Sequence, residues 1–571
     1  MCVGFEHCYN SFCIFAYPIG PLYHPFTVLL LSFSPHSAPP TETPAMVSPH
    51  GIKLAVHLIS TYFGDIVSKV CECLLRKGTL TLQQVLRFTE LSKQNVTNAL
   101  LVLIQHNCVQ AFTIEQPGGF EEEKKIVTNY MALHDNIIHH MRFPKFLAIV
   151  SDEFGQECTE IFEGLLQHGR LSVNQIMDRY KDKHKPLTSE ENSSVVDVVH
   201  ENFNRLVQAR FIERCPAHVP HIKSEEDKDD AAKKKAKKNP SQTLEEQALA
   251  LATLMESMRF AVEDTITNDA PDDNSNKKPT TAVVGEKRKQ PETGATNENK
   301  EILWRVNFEE FTRRLRHKCV VTHVTNRIDS VAGIVLRAIF DASRRNETTV
   351  KMEKTVPLSM ETIYEEAMKS EEGRSLNMDR VSQSLVQLGC EIPVVAIDET
   401  YTIDLKKIID EAQSQEVESI VMKKYSRDAY RIFRFLSQCK SLCDTDKIST
   451  STFVDKKEAL KILFQLWKDD FLHMERHATE AKTAKTENLF WKLDKVSVWE
   501  QVLDDMYHAA LNLKLRLAYE IDLANKGLRL LKGKIGGEEG EAKRMKMKSM
   551  WTVLDSSFLI LDDAIMLFHD F

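Results

Sequence analysis

The chain alternates between stretches of helical period and shorter stretches of period two. From Gly51, "GIKLAVHLISTYF" and "DIVSKVCECLLRKG" carry apolar residues at three- and four-residue steps, with Ile66, Val67, Val70, Leu74 and Leu75 on one face. "LSKQNVTNALLVLIQHN" continues that period through Val96, Leu100, Leu101, Leu103 and Ile104. The pattern then changes. "CVQAFTIEQ" and "EKKIVTNYMAL" alternate around "PGGF", so Cys108 to Leu133 is predicted to be a β-hairpin. Helices followed by a hairpin in this order predict a winged helix.

The pattern recurs. "LLRKGTLTLQQVL", Leu74 to Leu86, returns as "LLQHGRLSVNQIM", Leu165 to Met177. Gly78 and Gly169 can adopt the positive φ that ends a helix. Thr81 and Ser172 are N-cap residues, with Gln84 and Gln175 at capping-box spacing. Each copy therefore predicts a helix, a tight corner and a second helix. A polar insertion, "KDKHKPLTSEE", leads to a long helix through "SVVDVVHENFNRLVQARFIERC". A third copy spans Phe308 to about Leu405: a long helix through "VVTHVTNRIDSVAGIVLRAIFDAS", a Ser359 helix, "NMDRVSQSLVQLG", and strands "PVVAI" and "TYTIDL". A fourth, from about Glu416 to Leu493, holds "DAYRIFRFLSQ", "DKKEALKILFQLWKDDF" and hairpin arms "FLHMERH" and "ENLFWKLD". An all-helical solenoid is the alternative, and the period-two segment after each third helix argues against it. Two helices of near-equal length, Lys495 to Leu531 and Glu538 to His569, follow around "GKIGGEEGE". Trp499, Leu513, Leu517 and Ile521 on the first and Phe558 and Leu561 on the second lie on apolar stripes that predict an antiparallel coiled coil.

The fold class expected is mainly α with small β-hairpin wings. Four tandem winged helices (46–140, 141–216, 301–410 and 411–494) precede a coiled-coil hairpin at 495–571. Residues 217–300 are charged, bear proline and are nearly free of aromatics, which predicts a disordered linker. Basic runs in it, Lys233, Lys234, Lys235, Lys237 and Lys238, then Lys287, Arg288 and Lys289, are candidate nuclear-import signals or solvated charge. Between them "TLEEQALALATLMESMRF" has a Thr243/Glu246 capping box, predicting a helix that docks on a partner or on its own chain. Residues 1–45 contain the apolar run "FTVLLLSFS" with no preceding Lys or Arg; they read as a disordered or spurious extension rather than a targeting signal.

A net charge of −8 and a pI near 6.2 leave room only for local basic faces. The twelve cysteines are scattered, with no zinc spacing or disulfide framework, and read as reduced buried thiols. There is no Walker loop, dinucleotide fingerprint, HExxH or GxSxG, and "HDNIIHH" lacks ligand spacing, so neither an enzyme nor a cofactor is expected. The candidate nucleic-acid contact is the basic cluster of the third copy: Arg313, Arg314, Arg316 and Lys318 in "FTRRLRHK", with Arg337, Arg344 and Arg345 nearby.

The order of these parts, with "FGDIVSKV", "LIQHNCV", "RFPKF", "RFIERCP", "LWRVNFEEF" and "AYRIFRF", resembles the extended-winged-helix subunit family of RNA polymerase III, whose architecture is similar to the alpha subunit of transcription factor TFIIE. The resemblance implies a non-catalytic, nuclear subunit of the three-subunit initiation subcomplex. It would bind two smaller subunits and the polymerase clamp, and help open promoter DNA, single-stranded DNA included, for small untranslated RNAs such as tRNA and 5S rRNA. It also implies that the C-terminal hairpin docks on the clamp, so that a truncation ending at Leu493 would still bind the two smaller subunits but lose the polymerase core. A winged-helix scaffold or transcription factor outside the polymerase is the alternative. No membrane association is expected.

Overall fold

The computed structural model describes residues 47–571 apart from 117–124, 185–188, 217–218, 223–242, 254–255, 263–301, 345, 348, 391–399, 440, 482–483 and 531–537. The lysine runs at 233–238 and 287–289, the "PVVAI" segment, the hairpin turn and residues 1–45 lie outside the described residues.

The first set of elements comprises α1 (Pro49–Phe63), α2 (Asp65–Lys77), β1 (Leu80–Thr81), α3 (Leu82–Thr89), α4 (Lys93–Gln105), β2 (Val109–Gln116) and β3 (Lys125–Ala132), as the hydrophobic pattern predicts. Thr81 and Gln84 form the capping box: Gln84 N donates to Thr81 Oγ1 at 3.4 Å, and Thr81 N donates to Gln84 Oε1 at 2.8 Å. β1 and β2 flank β3, and the short β6 (His221–Ile222) extends the sheet parallel to β2. α5 (His134–His139) leads to the second set: α6 (Phe143–Phe154), α7 (Gln156–His168), β4 (Leu171–Ser172), α8 (Val173–His184), α9 (Ser189–Gln208) and β5 (Ile212–Arg214). The helix predicted through Cys215 ends at Gln208, because Ile212 to Arg214 enter a sheet.

That sheet corrects the expected boundaries. Its middle strand is β7 (Leu303–Val306), which pairs with β4 at Leu171↔Trp304 and with β5 at Ile212↔Val306. "LWRV" therefore completes the second set from across the linker instead of opening the third, and Trp304 packs edge-on to Phe203 at 5.1 Å in its core. The segment between contains α10 (Leu244–Ala252) and α11 (Glu256–Arg259). α10 begins with the predicted Thr243/Glu246 box and docks on its own chain, placing Ala248 against Phe112, Met131 and Ile222.

The third set runs through α12 (Phe308–Arg327), α13 (Ser330–Ser343), β8 (Leu358–Ser359), α14 (Met360–Lys369), α15 (Met378–Gln387) and β9 (Thr400–Tyr401). The single helix expected over "VVTHVTNRIDSVAG" is broken at Ile328, since Asp329 accepts the Ala332 N–H at 2.6 Å and starts a new helix. "TYTIDL" forms a strand only at its first two residues, before Asp404 caps the next helix. The fourth set is α16 (Leu405–Lys424), α17 (Arg427–Gln438), β10 (Cys443–Asp444), α18 (Thr445–Thr452), α19 (Lys456–Lys468), β11 (His473–Ala481) and β12 (Ala484–Lys492). α20 (Lys495–Leu530) and α21 (Glu538–His569) end the chain.

The sets are not independent beads. The first and fourth share one core with α20 and α21, which joins Leu54, Val70 and Leu103 to Phe433, Leu463 and Trp491 through Val502, Tyr507 and Ile565. The nine cysteines among the described residues are free, and burial pushes the Cys71 thiol up to about 12.

The two glycines of the repeat are separated by their surroundings. Both have positive φ, +78° at Gly78 and +77° at Gly169. A Cβ at Gly78 would meet nothing within 4 Å, whereas one at Gly169 would lie 2.1 Å from the Gln105 carbonyl oxygen. That carbonyl accepts the Arg170 N–H at 3.1 Å, so the second corner is a joint between α4 and the second set. Gly78→Ala is expected to cost about 1 kcal/mol from backbone strain alone, and Gly169→Ala to cost more by about 1–3 kcal/mol from overpacking. Urea unfolding of both variants checks the ranking.

Candidate interaction surfaces

Most arginines of the basic cluster on α12 are engaged within the chain. Arg313 and Arg316 are buried, and the guanidiniums of the "TRRLR" run are held by the chain itself. Arg313 pairs with Glu310 and lies 3.3 Å from Glu347; Arg314 bonds Glu310 Oε1 at 2.9 Å and also pairs with Glu153. Arg316 donates to the Val350 and Met352 carbonyls at 2.8 and 2.7 Å. Burial works to raise the Glu347 carboxyl, but His317 and Arg313 outweigh it and hold the group below its ordinary value. Arg344 lies 3.7 Å from both Glu153 and Glu310, Lys318 and Arg337 are exposed, and Arg345 is outside the described residues. Guanidiniums bound to carboxylates and carbonyls join α12 to α6 and to the segment after α13, which leaves Lys318 and Arg337 as the exposed members of the cluster.

The C-terminal hairpin divides into two parts. α21 runs back along α20, with Lys514 Nζ 3.9 Å over the Phe558 ring. Near the body, Phe558 is buried, Leu513 and Leu561 pack on the shared core, and Trp499 Nε1 donates to Gln413 Oε1 at 3.1 Å. These four residues are engaged with the body of the chain. Leu517 is half-buried at the margin, and Ile521 lies exposed beyond it with Tyr519 and Leu523. Truncation at Leu493 would therefore strip Val502, Tyr507, Ala510 and Ile565 from the core instead of sparing the upstream sets.

The end of α21 is locked by charge. Arg142 Nε donates to Asp562 Oδ1 at 3.0 Å, and its Nη1 lies 2.6 Å from Asp570 Oδ2. Lys145 Nζ donates to Asp562 Oδ2 at 2.6 Å, Asp563 Oδ1 at 2.8 Å and the Leu559 carbonyl at 3.1 Å. Burial alone would lower the Arg142 guanidinium; Asp570 and Asp562 hold it above its ordinary value. His139, pushed down to about 3 by burial and then by Arg142, is neutral, and its Nδ1 accepts a hydrogen bond from Arg142 Nη1 at 3.1 Å. The "RFPKF" run thus supplies both cations of this lock and, in Phe146, a core residue.

The exposed face that the sequence reading missed is on α19. Ala459, Ile462, Leu463 and Leu466 are buried, which leaves Lys456, Lys457, Lys461 and Lys468 outside with Phe464 and Trp467. Trp467 is 41% exposed, and Phe453, in the corner before the helix, is 93% exposed at a positive φ of 57°. A bulky residue held there without burial has no packing reason to persist. Lys456 pairs with Asp446, and Lys461 reaches Glu458 at 3.5 Å; all four groups are exposed. By contrast α4, at the same place in the first set, exposes one lysine among Gln94, Asn95, Thr97 and Asn98. The signal was available as lysines and aromatics interleaved opposite an apolar stripe.

Three family models match in succession: the RNA polymerase III subunit RPC82 helix-turn-helix domain over 53–113, RNA polymerase III subunit RPC82 over 201–412, and the POLR3C C-terminal winged-helix domain over 417–491. The chain belongs to the RPC82 family. Among its relatives, DNA-directed RNA polymerase III subunit RPC3 of Bos taurus is 23% identical over 485 residues, covering 82% of this chain and 84% of that protein. The Homo sapiens RPC3 is 23% identical over 492 residues with the same coverage, and the Dictyostelium discoideum rpc3 is 21% identical over 615, covering 82% and 92%. The middle RPC82 match runs from α9 through β7 into the third set, as the pairing of β7 with β5 does.

Proposed function

We propose that this RPC82-family chain is a non-catalytic subunit of RNA polymerase III and works in the three-subunit initiation subcomplex, helping to recruit the polymerase and open promoter DNA for small untranslated RNAs. The collinear run of three family models, with relatives matched along most of their length, carries this reading. The family supplies polymerase subunits, so the chain is not itself an enzyme. Four winged-helix modules and a coiled-coil hairpin are the architecture we assign to the four sets and to α20 with α21. Two smaller subunits are the proposed partners of the body, and the polymerase clamp that of the outer hairpin. A nuclear location follows from this role, with the lysine runs at 233–238 and 287–289 as candidate import signals. Purification of the tagged chain should bring the two largest polymerase III subunits with it; their absence would favour a scaffold outside the polymerase.

The proposed DNA contact moves from α12 to α19, where exposed lysines can neutralise phosphates while Trp467 and Phe464 stack on unpaired bases. Changing Lys456, Lys457 and Lys461 together to Glu is expected to lower promoter-DNA crosslinking by the assembled polymerase about tenfold or more at low salt, with a smaller deficit as salt rises. Trp467→Ala is expected to weaken single-stranded more than duplex binding. Unchanged crosslinking in both variants would remove α19 from the DNA path.

A further inference from the structure

We propose that His134, Asp135 and His569 form a binding site for a divalent cation of the zinc class, which ties the end of α21 to the start of α5. One ligand atom from each residue lies within 4.8 Å of the other two. Asp135 Oδ1 is the shared centre, 3.1 Å from His569 Nε2 and 3.7 Å from His134 Nδ1. Bonds of 2.0–2.2 Å in a tetrahedral zinc site place ligand atoms about 3.3–3.6 Å apart, and these two spacings bracket that range. Two imidazoles and a carboxylate suit zinc better than magnesium or calcium, which take all-oxygen sets.

An ion pair between His569 and Asp135 accounts for only one of the contacts. The His134 side chain is 9% exposed, and its Nε2 has no hydrogen-bond partner among the described residues. Its ring is fixed edge-on to Tyr507 and His569, with centroids 6.0 and 5.7 Å away. The ring is thus confined with Nδ1, the nitrogen that faces Asp135 at 3.7 Å, turned toward the site. Behind His569, Nδ1 lies 3.3 Å from Asp570 Oδ1, and the other oxygen of Asp570 faces Arg142. That approach makes no hydrogen bond as it stands, so Asp570 serves here as a nearby carboxylate charge beside the His569 ring. The Asp135 side chain is 72% exposed, and a cavity of about 520 Å³ lined by His134, Asp135, His569 and Asp570 opens beside it. That cavity gives the cation entry and leaves a coordination position for water.

The test uses the full-length chain, stripped with chelator and titrated with zinc chloride against a chromophoric competitor, then with cobalt chloride as a spectroscopic probe. The expected result is a zinc-binding event that His569→Gln and Asp135→Asn each weaken at least about tenfold. Cobalt in that site should show a visible ligand-field spectrum without thiolate charge-transfer bands, which separates it from binding at cysteines. Zinc should raise the melting temperature of the parent chain more than that of either variant. Asp135→Asn alters an exposed side chain, so its folding can be verified by circular dichroism before titration. Equal zinc affinity in parent and both variants, cobalt bands of thiolate type alone, or no zinc binding would overturn the proposal.

Discussion

Asp562→Ala should lower the folding stability of the chain by about 3–5 kcal/mol, the cost of breaking a buried ion-pair network by removing one partner. Asp562 is fully buried and accepts from Arg142, itself 1% exposed, and from Lys145. Removing the carboxylate leaves Arg142 with Asp570 alone and Lys145 with Asp563 and the Leu559 carbonyl, and takes from both cations the one fully buried anion they share. The exposed neighbour Asp563 also touches Lys145, at 2.8 Å, yet is 51% exposed. Its replacement by Ala should cost about 0–1 kcal/mol. Denaturant unfolding of the two variants separates the readings, and an Asp562→Ala midpoint equal to that of Asp563→Ala would show that the lock contributes nothing. The loss should spread, because α21 closes the core shared by the first and fourth sets.

This lock marks what the sequence could and could not reveal. Short-range grammar was legible: the Thr81/Gln84 box, the hairpin at β11 and β12, and the limits of α20 and α21 all follow from period, caps and turns. "RFPKF" stood out as a run, but its partner Asp562 lies 420 residues away and no local period encodes that pairing. The same blindness explains β7, which reads as the opening of a third module until its partners β4 and β5 are seen to come from before the linker. It also explains the arginines of α12. A run of three positive side chains looks the same whether it meets phosphate or Glu153, Glu310 and Glu347 gathered from three segments. α19 is missed for the opposite reason: "DKKEALKILFQLWKDDF" is read only as a helix of the fourth copy, and the lysines and aromatics opposite its buried residues are not taken together.

The division of the hairpin leads to the other large effect. At 1.5 Å per residue, the 36 residues of α20 extend about 50 Å, but its core residues end near Ala510 and Leu513, opposite Phe558 and Leu561. Beyond them the outer arm exposes Leu515, Tyr519, Leu523, Met545 and Val553. Apolar side chains held in water on a long arm add little to folding, which supports assigning them to a partner. A variant that lacks residues 522–549, with Ile521 joined to Met550 through a short glycine-rich turn, keeps Val502, Tyr507, Phe558 and Ile565. It should melt within a few degrees of the parent and still bind the two smaller subunits, while recovery of the polymerase core falls by about tenfold or more, as expected when a few anchor side chains carry most of the binding. Leu517→Pro should act in the same direction, since proline inside a helix costs about 3 kcal/mol or more and breaks the arm where it leaves the body. Truncation at Leu493 should instead unfold the shared core and lose every partner together. If the shortened arm retained the polymerase core at parental strength, the outer hairpin would not be the anchor, and docking would have to be sought on the body, with the α19 face as the next surface to alter.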